Sequence, residues 1–443
     1  SGGGGGRRYR DGDRGYRGGS GGGRGYRDGE RGRSRRVYDD EPRDGLLADL
    51  VGHLHALDGR SYAAYKAIVG RYRAPAGWFL HIDRVQSDPY APPTRIHVDV
   101  PTDLHGLELL DEADLLADAD RRLAVGDFLT RELHAGFRGT ALSIASPGQE
   151  ILQRSSVIVR PDEKKEGTGW VLEVRARLAL PAQGRSIQGH EASRIVGRDL
   201  VRELEEAMDL TGERGDRLVR HVATLEDHRA LTAEVASNGW VAFLADGSVL
   251  PRRSGVSDEP LDGGVPLQAP DSMAATVELP HAGTVRGTVV EAGVNVIVGG
   301  GYHGKSTLLS AIERGVYPHV PGDGRELVAT VPDAVKVRAA DGRAVTGVDL
   351  TPFISHLPAG RDTASFTTRN ASGSTSQAAS IIEAVEAGAT TLLLDEDTSA
   401  TNLLIRDSRM RELVAAEREP ITPLVDRITA LFRRQGVSTV MVM

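Results

Sequence analysis

The stretch Asn295 to Leu309, NVIVGGGYHGKSTLL, constrains this chain more than any other. A short run of strand-forming residues, Asn295 to Val298, gives way at Gly299 to a glycine-rich turn, then to Gly304-Lys305-Ser306-Thr307 and helical spacing. The pattern G-x-x-x-x-G-K-[ST] is complete, with the preceding strand and following helix that a phosphate loop requires. The glycines let the backbone curl so that its N–H groups face phosphate oxygens. In this reading Gly299, Gly300, Gly301, Tyr302, His303 and Gly304 form the cradle. Lys305 brings a catalytic point charge to the β- and γ-phosphates, the Ser306 hydroxyl can ligate Mg²⁺, and Thr307 lies in the positive first turn of the helix.

A second element completes such a site. In EAVEAGATTLLLDEDTSATN, the apolar Leu392, Leu393 and Leu394 read as a buried parallel strand. It delivers Asp395 and Glu396 at its carboxyl end, where α/β sheets place ligands. Asp395 suits the Mg²⁺ shell, and Glu396 is placed to orient and deprotonate an attacking water. Between the two lies ASGSTSQAASIIEAVEAG, a Ser/Gly-rich turn opening a helix from about Gln377. Its hydroxyls and exposed N–H groups make a second anion site.

Composition narrows the class. At 443 residues and 40% hydrophobic content the chain can bury a sizeable core in about two or three domains. No long apolar run or leader pattern suggests a membrane span or secretion, so a cytoplasmic setting with no membrane is expected. The absence of cysteine excludes disulfides, thiolate zinc sites, iron–sulfur clusters and cysteine nucleophiles within this sequence. The formal charge of −8 is uneven: residues 1–36 carry eleven Arg against four acidic residues, a net +7, leaving −15 for the remainder.

Three regions follow in order. Residues 1–40 are a tail rich in Arg, Gly and Tyr with too little apolar surface to order itself. Its arginines and Tyr9, Tyr16 and Tyr26 suit contact with RNA phosphates and unpaired bases. Residues 41–238 read as an α+β domain that could also contact RNA, and residues 239–443 as the nucleotide-binding domain. Within the first of these domains we expect a helix carrying Leu47, Leu50 and Leu54 and ended by Gly59, and a second over SYAAYKAIVGRYR. A two-strand excursion follows from Trp78 to Val100, then a long acidic helix from Leu107 to about His134. Strands ILQRSSVIVR and GWVLEVRARLAL should pair, ahead of a helical stretch from about Glu191 to Leu225. The acidic and histidine residues of this domain show no metal-ligand spacing.

The order of phosphate loop, Ser-Gly signature turn and Asp-Glu strand resembles the ABC-type ATPases, and DEDTSATN matches their DEPTSALD segment at five of eight positions. GGGYHGKSTLL, ERGVYPHVPGDGRE, ASGSTSQAA and EPITPLVDR, with the earlier YKAIVGRYR, HIDRVQSDPYAPPTRI, SPGQEIL and PRRSG, are similar to one branch: the stand-alone "predicted ATPase of the ABC class" family. That family includes a kinetoplastid mitochondrial RNA-editing-associated ATPase. The resemblance covers residues 43–443. It implies an α/β fold with an ABC-type P-loop core, an N-terminal α+β domain and a disordered tail, binding and hydrolysing ATP with Mg²⁺ as an RNA-associated homodimer. It further implies that Ser372, Gly373 and Ser374 touch the γ-phosphate held by Lys305 of the partner subunit, and that Ser399 to Asn402 communicate between sites. A nucleotide-gated scaffold with little turnover is the alternative.

Departures from the pattern are specific. No Gln occurs between Ser306 and Ser376, no aromatic residue between Phe243 and Tyr302, and no histidine after His356. The loop that senses a membrane partner, the ring that stacks on adenine and the histidine at the γ-phosphate therefore have no counterparts. The apolar VSTVMVM at the end suggests that the ATPase sheet continues past this sequence.

Overall fold

The computed structural model describes residues 43–163, 169–355, 362–406 and 419–443. The tail of residues 1–40 and His356 lie outside the described residues.

The N-terminal half is a mixed sheet covered on one face by helices. Its strands are β1 (Arg43–Leu46), β2 (Gly70–Arg73), β3 (Phe79–Arg84), β4 (Thr94–Pro101), β5 (Leu142–Ser143), β6 (Val157–Pro161) and β7 (Trp170–Leu178), with β4 paired along its length to β7. The helices are α1 (Leu47–Ala56), α2 (Leu109–Glu112), α3 (Ala119–Gly136), α4 (Gly189–Arg194), α5 (Val201–Met208) and α6 (Glu213–Ser237). Alternation along β4 sends Thr94, Ile96, Val98 and Val100 into the core and leaves Arg95, His97 and Asp99 on the opposite face. In α1, Leu47, Leu50 and Leu54 fall on one stripe and are buried, each worth about 2 kcal/mol of removed apolar surface. The hairpin expected around the proline-rich turn is β3–β4, and β6 pairs antiparallel with β7 as expected.

Three local expectations give way to tertiary constraints. SYAAYKAIVGRYR is not one helix: a 3₁₀ segment, Tyr62–Ile68, stops at extended Val69 and the chain becomes β2. Gly70 takes φ +153°, and a Cβ there would sit 2.3 Å from the Arg43 carbonyl oxygen, so glycine permits the close parallel pairing with β1. The acidic stretch breaks after α2, where Asp114 adopts φ 52°, and restarts at α3 with the Asp118 carboxylate capping Arg121 N at 2.9 Å. The helical stretch from Glu191 is interrupted at Gly212, φ 58°, before α6 begins. A short hairpin, β8 (Ala182–Gln183) with β9 (Ser186–Ile187), precedes α4.

α6 belongs to both halves. His221, near its start, reaches Asp127 of α3, while Leu231 and Val235, near its end, pack with Phe243, Val277 and Val289. Those residues sit on an antiparallel sheet of β10 (Trp240–Ala245), β13 (Ala274–Leu279), β14 (Gly283–Glu291) and β16 (Val328–Thr330); a hairpin, β11 (Arg252–Ser254) with β12 (Ser257–Pro260), lies between β10 and β13 in sequence.

The central sheet has the order β15-β21-β20-β17, all parallel: β15 (Val294–Ile297), β17 (Ala334–Val337), β20 (Thr391–Asp395) and β21 (Ser438–Val442). Helix α7 (Lys305–Arg314) covers one face and α8 (Gly373–Glu386) with α10 (Ile428–Gln435) the other. Leu393 faces Leu309 and Ile312 of α7, whereas Leu392 and Leu394 face Ala378 and Ile381 of α8, so the three-leucine run is buried on both sides. The final apolar strand, β21, is interior, and β15 forms the margin with Val294, Val296 and Val298 exposed. The C-terminal half also holds a short helix α9 (Thr401–Leu404) and a two-stranded ribbon, β18 (Val345–Val348) with β19 (Phe366–Thr368). Among the described residues no helix is long and apolar enough to cross a membrane.

Candidate functional site

β15 ends at Ile297 and the chain curls through Gly299 to Gly304 into α7. Gly304, at φ +83°, is the N-cap, and α7 is fixed from below by buried Leu309, Ala311 and Ile312. The curl holds itself: Gly300 N donates to His303 Nδ1 at 3.2 Å, and a Cβ on Gly300 would come within 3.0 Å of that imidazole. Tyr302 takes φ 63°, a conformation costly for a non-glycine residue, with its ring fully exposed. Lys305 Nζ donates to the carbonyls of Gly299 at 2.7 Å and Gly300 at 3.1 Å. Its charge is thus folded over the loop, and among the described residues no carboxylate neutralises it.

Gly300 to Thr307, Asp395, Glu396 and Asp397 line one cleft of about 580 Å³, with Val442 at its wall. Asp395 ends β20 and is 6% exposed, whereas Glu396 opens a 3₁₀ turn and is exposed. The only hydrogen bond to an Asp395 carboxylate oxygen among the described residues is a long one from Asp397 N, 3.4 Å. Ser306 and Asp395 therefore offer hard oxygen donors, and Lys305 and Glu396 a cation and a free carboxylate, around one space.

Ser372, Gly373 and Ser374 stand elsewhere, at the start of α8, and do not line that cleft. The helix opens at Gly373, four residues earlier than Gln377. Ser372 is the N-cap, and its Oγ lies 3.0 Å from Thr375 Oγ1. This turn is tied to the segment after Glu396. Ser374 Oγ donates to Asn402 Oδ1 at 2.6 Å, Gln377 Nε2 donates to Ser399 Oγ at 2.9 Å, and Ala400 N donates to Gln377 Oε1 at 2.7 Å. Ser399 Oγ in turn donates to the Asp395 carbonyl at 2.8 Å. Sequence reasoning did not assign Gln377 a role; the S-T-S-Q run was the available signal, but only the fold shows that Gln377 is wholly buried.

The loop after α7 is clasped by the N-terminal half. Ile151 N donates to Pro318 O at 2.8 Å, Val320 N to Gln149 O at 2.9 Å, and Arg314 Nη1 to Glu150 Oε1 at 3.0 Å. Behind it, Asp323 accepts from His319 Nδ1 at 2.8 Å and Arg252 Nη2 at 2.7 Å. Burial alone would raise the Asp323 pKa, but these two partners outweigh it and hold the carboxyl below its usual range.

A second cluster is invisible as sequence spacing. β3–β4 register sets His81 opposite His97, their rings stacked 4.1 Å apart, and with Asp99 three potential ligand atoms fall within 4.8 Å. His97 is held by Asp83 at 2.8 Å and Asp99 by Arg160 at 2.8 Å. Burial works against ionisation of Asp99, yet the His81 and Arg160 contacts prevail and lower its pKa. Arg71 and Arg175 flank the histidines in register, and Arg175 is itself paired with Glu173 at 2.6 Å.

Comparison with known proteins matches two family models to the chain. Residues 47–210 match the family model described as the N-terminal part of an ATPase of the ABC class, and residues 214–443 match its P-loop domain. A protein of Methanocaldococcus jannaschii described as uncharacterized is 27% identical over 242 residues, which is 49% of this chain and 54% of that relative. The aligned part thus spans about half the length of the curated relative. With both halves matched and the loop, helix and Asp-Glu strand meeting at one cleft, the chain belongs to the family of ABC-class P-loop ATPases.

Proposed function

We propose that this protein binds ATP with Mg²⁺ and hydrolyses it, working as a homodimer in association with RNA in the cytoplasm. The observation that carries the catalytic part is the single cleft shared by Lys305, Ser306, Asp395 and Glu396. The donor set fits Mg²⁺: Ser306 and Asp395 supply oxygen ligands suited to a hard cation, and the carboxylate is nearly free of protein donors. When bound, Mg²⁺ would be held by these two residues and would neutralise phosphate charge.

The protein's own groups account for the rest. Backbone N–H groups from Gly300 to Lys305 cradle the phosphates, and Lys305 exchanges its loop carbonyls for the β- and γ-phosphate oxygens. Glu396 orients a water and takes its proton as the water oxygen attacks the γ-phosphorus; the bond to the β–γ bridging oxygen breaks, leaving ADP and phosphate. The γ-phosphate side of the cleft is open to a second copy of the chain, whose Ser372 to Ser374 would cover it. Supporting this, Ser372 is exposed and Gly373 half-buried at the start of α8, outside the cleft of the same chain's Lys305, while Ser374 is buried behind them with its hydroxyl on Asn402.

The RNA reading is supported by the Arg-rich tail and by the uncovered sheet face of the N-terminal half. There Arg84, Arg95 and Arg177 follow one another across β3, β4 and β7, and among the described residues none is neutralised by a carboxylate. Like charges directly opposite are unfavourable without an anion between them. The neighbouring row is Arg71, His81, His97 and Arg175, with the Arg71 guanidinium 3.9 Å above the Phe79 ring. Arginine charge beside an aromatic face suits a single-stranded backbone and its bases. The clasp between Gln149–Ile151 and Pro318–Val320 offers a route from α7 to this domain.

Glu396→Gln tests the assignment. The variant should bind ATP and close but release phosphate at least a hundredfold more slowly, an effect of roughly the size general-base catalysis supplies. Unchanged turnover would remove Glu396 from the mechanism, and a wild-type protein that binds ATP without steady-state phosphate release would favour a nucleotide-gated scaffold.

A further inference from the structure

A triphosphate in the phosphate loop has a nucleoside attached, and between Phe243 and Tyr302, where the family resemblance implies the ring that stacks on adenine, there is no aromatic residue. The fold supplies another place. Ser306, Thr307, Ser310 and Arg314 lie along one flank of α7 and line a cleft of about 520 Å³ whose opposite wall is the β11–β12 hairpin. Ser306 and Thr307 belong to this cleft and to the phosphate-loop cleft, so the two spaces meet at the first turn of α7. Direction follows from the loop's chemistry. Lys305, Asp395 and Glu396 address the γ end, while loop N–H groups hold the α- and β-phosphates. The α-phosphate is the end remote from Glu396, and what it carries leaves past Thr307.

The hairpin wall is prepared for a flat ligand. Arg252 donates from Nη2 to Asp323 Oδ2 at 2.7 Å and from Nη1 to the Asp323 carbonyl at 3.0 Å, and Asp323 itself is wholly buried and held by His319. The guanidinium plane is therefore fixed at the cleft rather than free in solvent, which reduces the entropy lost when a π-face stacks on it. Val256, at the tip of the hairpin, is 101% exposed and lines the same cleft. Asp258 and Glu150 add acceptors for amino or hydroxyl donors.

We infer that the ribose and base of the nucleoside triphosphate dock in this hairpin cleft, with the base held by the Arg252 guanidinium and the Val256 side chain in place of an aromatic ring. The inference rests on the nucleotide reading of the phosphate loop, and the test separates the two. Binding of ATP and of tripolyphosphate, which has the phosphates without the nucleoside, is measured calorimetrically for the wild type, Val256→Ser and Arg252→Lys. Val256 is exposed, so its replacement leaves the fold intact; Arg252→Lys keeps a charge beside Asp323 but gives up the plane and the forked pair of hydrogen bonds, so its thermal unfolding midpoint is read alongside to establish that it is folded. Each variant should bind ATP about five- to tenfold more weakly, the scale of one stacking or cation–π contact, with tripolyphosphate affinity unchanged. Wild-type affinities for both ligands that persist in both variants would overturn the hairpin cleft alone. A wild type that binds neither ligand would overturn the phosphate-loop reading and the cleft with it.

Discussion

Gln377 grips Ala400: the main-chain N–H of Ala400 donates to Gln377 Oε1 at 2.7 Å, while Gln377 Nε2 donates to Ser399 Oγ at 2.9 Å. A side chain with no solvent exposure thereby locks the start of α8 to the turn that follows Glu396. Together with the Ser374–Asn402 hydrogen bond, this amide ties the start of α8 to the turn that leaves β20.

Replacing Gln377 by Ala should cost about 2–4 kcal/mol, since a cavity forms and the Ala400 N–H is left without its partner. Urea denaturation checks this. A loss below about 0.5 kcal/mol, the scale of an ordinary surface substitution, would mean that the clamp is not what holds the two segments.

Acid should weaken the fold through two histidines. Burial first, then the charges of Arg131 and Arg154, push His221 down to about 3; burial chiefly pushes His228 down to about 4. His221 Nε2 lies 3.1 Å from Asp127, but that carboxylate already serves Arg131 and Arg154, so the imidazole stays neutral. Both folded-state values lie below the unfolded value near 6.5. The unfolded chain takes up the protons, and stability present above about pH 6.5 is lost as pH falls toward 4. Each histidine should account for on the order of 2 kcal/mol by about pH 5. Denaturation midpoints that do not move between about pH 7.5 and pH 5 would contradict neutral burial.

Arg95→Glu and Arg177→Glu should weaken single-stranded RNA binding and lower the slope of log affinity against log salt by roughly one for each lost phosphate contact. Deleting residues 1–36 should weaken and flatten it in the same way. Filter binding across a salt series reads both effects, and equal affinities and slopes in all forms would remove the sheet face and the tail from RNA contact.

What could be read from the sequence was local chemistry with fixed spacing. Gly299 to Thr307 and Leu392 to Glu396 announce themselves because the turn, the cation and the carboxylates must follow one another along the chain, and the structure sets Gly300 to Thr307, Asp395 and Glu396 around one cleft. The misread segments were decided by distant partners. Helical spacing from Tyr62 to Arg73 yields to β2 because Arg43 passes against Gly70. The His81–His97–Asp99 group exists only once β3 and β4 are in register. Gln377 looks like any polar helix residue until Ser399 and Ala400 fold over it. His221 meets Asp127 across 94 positions, a separation that no periodicity encodes.

Subunit complementation tests the central claim, that Lys305 of one chain and the signature turn of another build each active site. Lys305→Ala disables the phosphate loop, and Ser372→Glu puts a negative charge at an exposed helix N-cap, where it is tolerated structurally but repels a γ-phosphate. Each variant alone should release almost no phosphate. Mixed in equal amounts and allowed to exchange, half the dimers would be hybrids in which one site carries both defects and the other carries neither. Phosphate release should then recover to roughly one quarter of wild type. Absence of recovery despite demonstrated exchange, or full activity of Ser372→Glu by itself, would contradict the composite site.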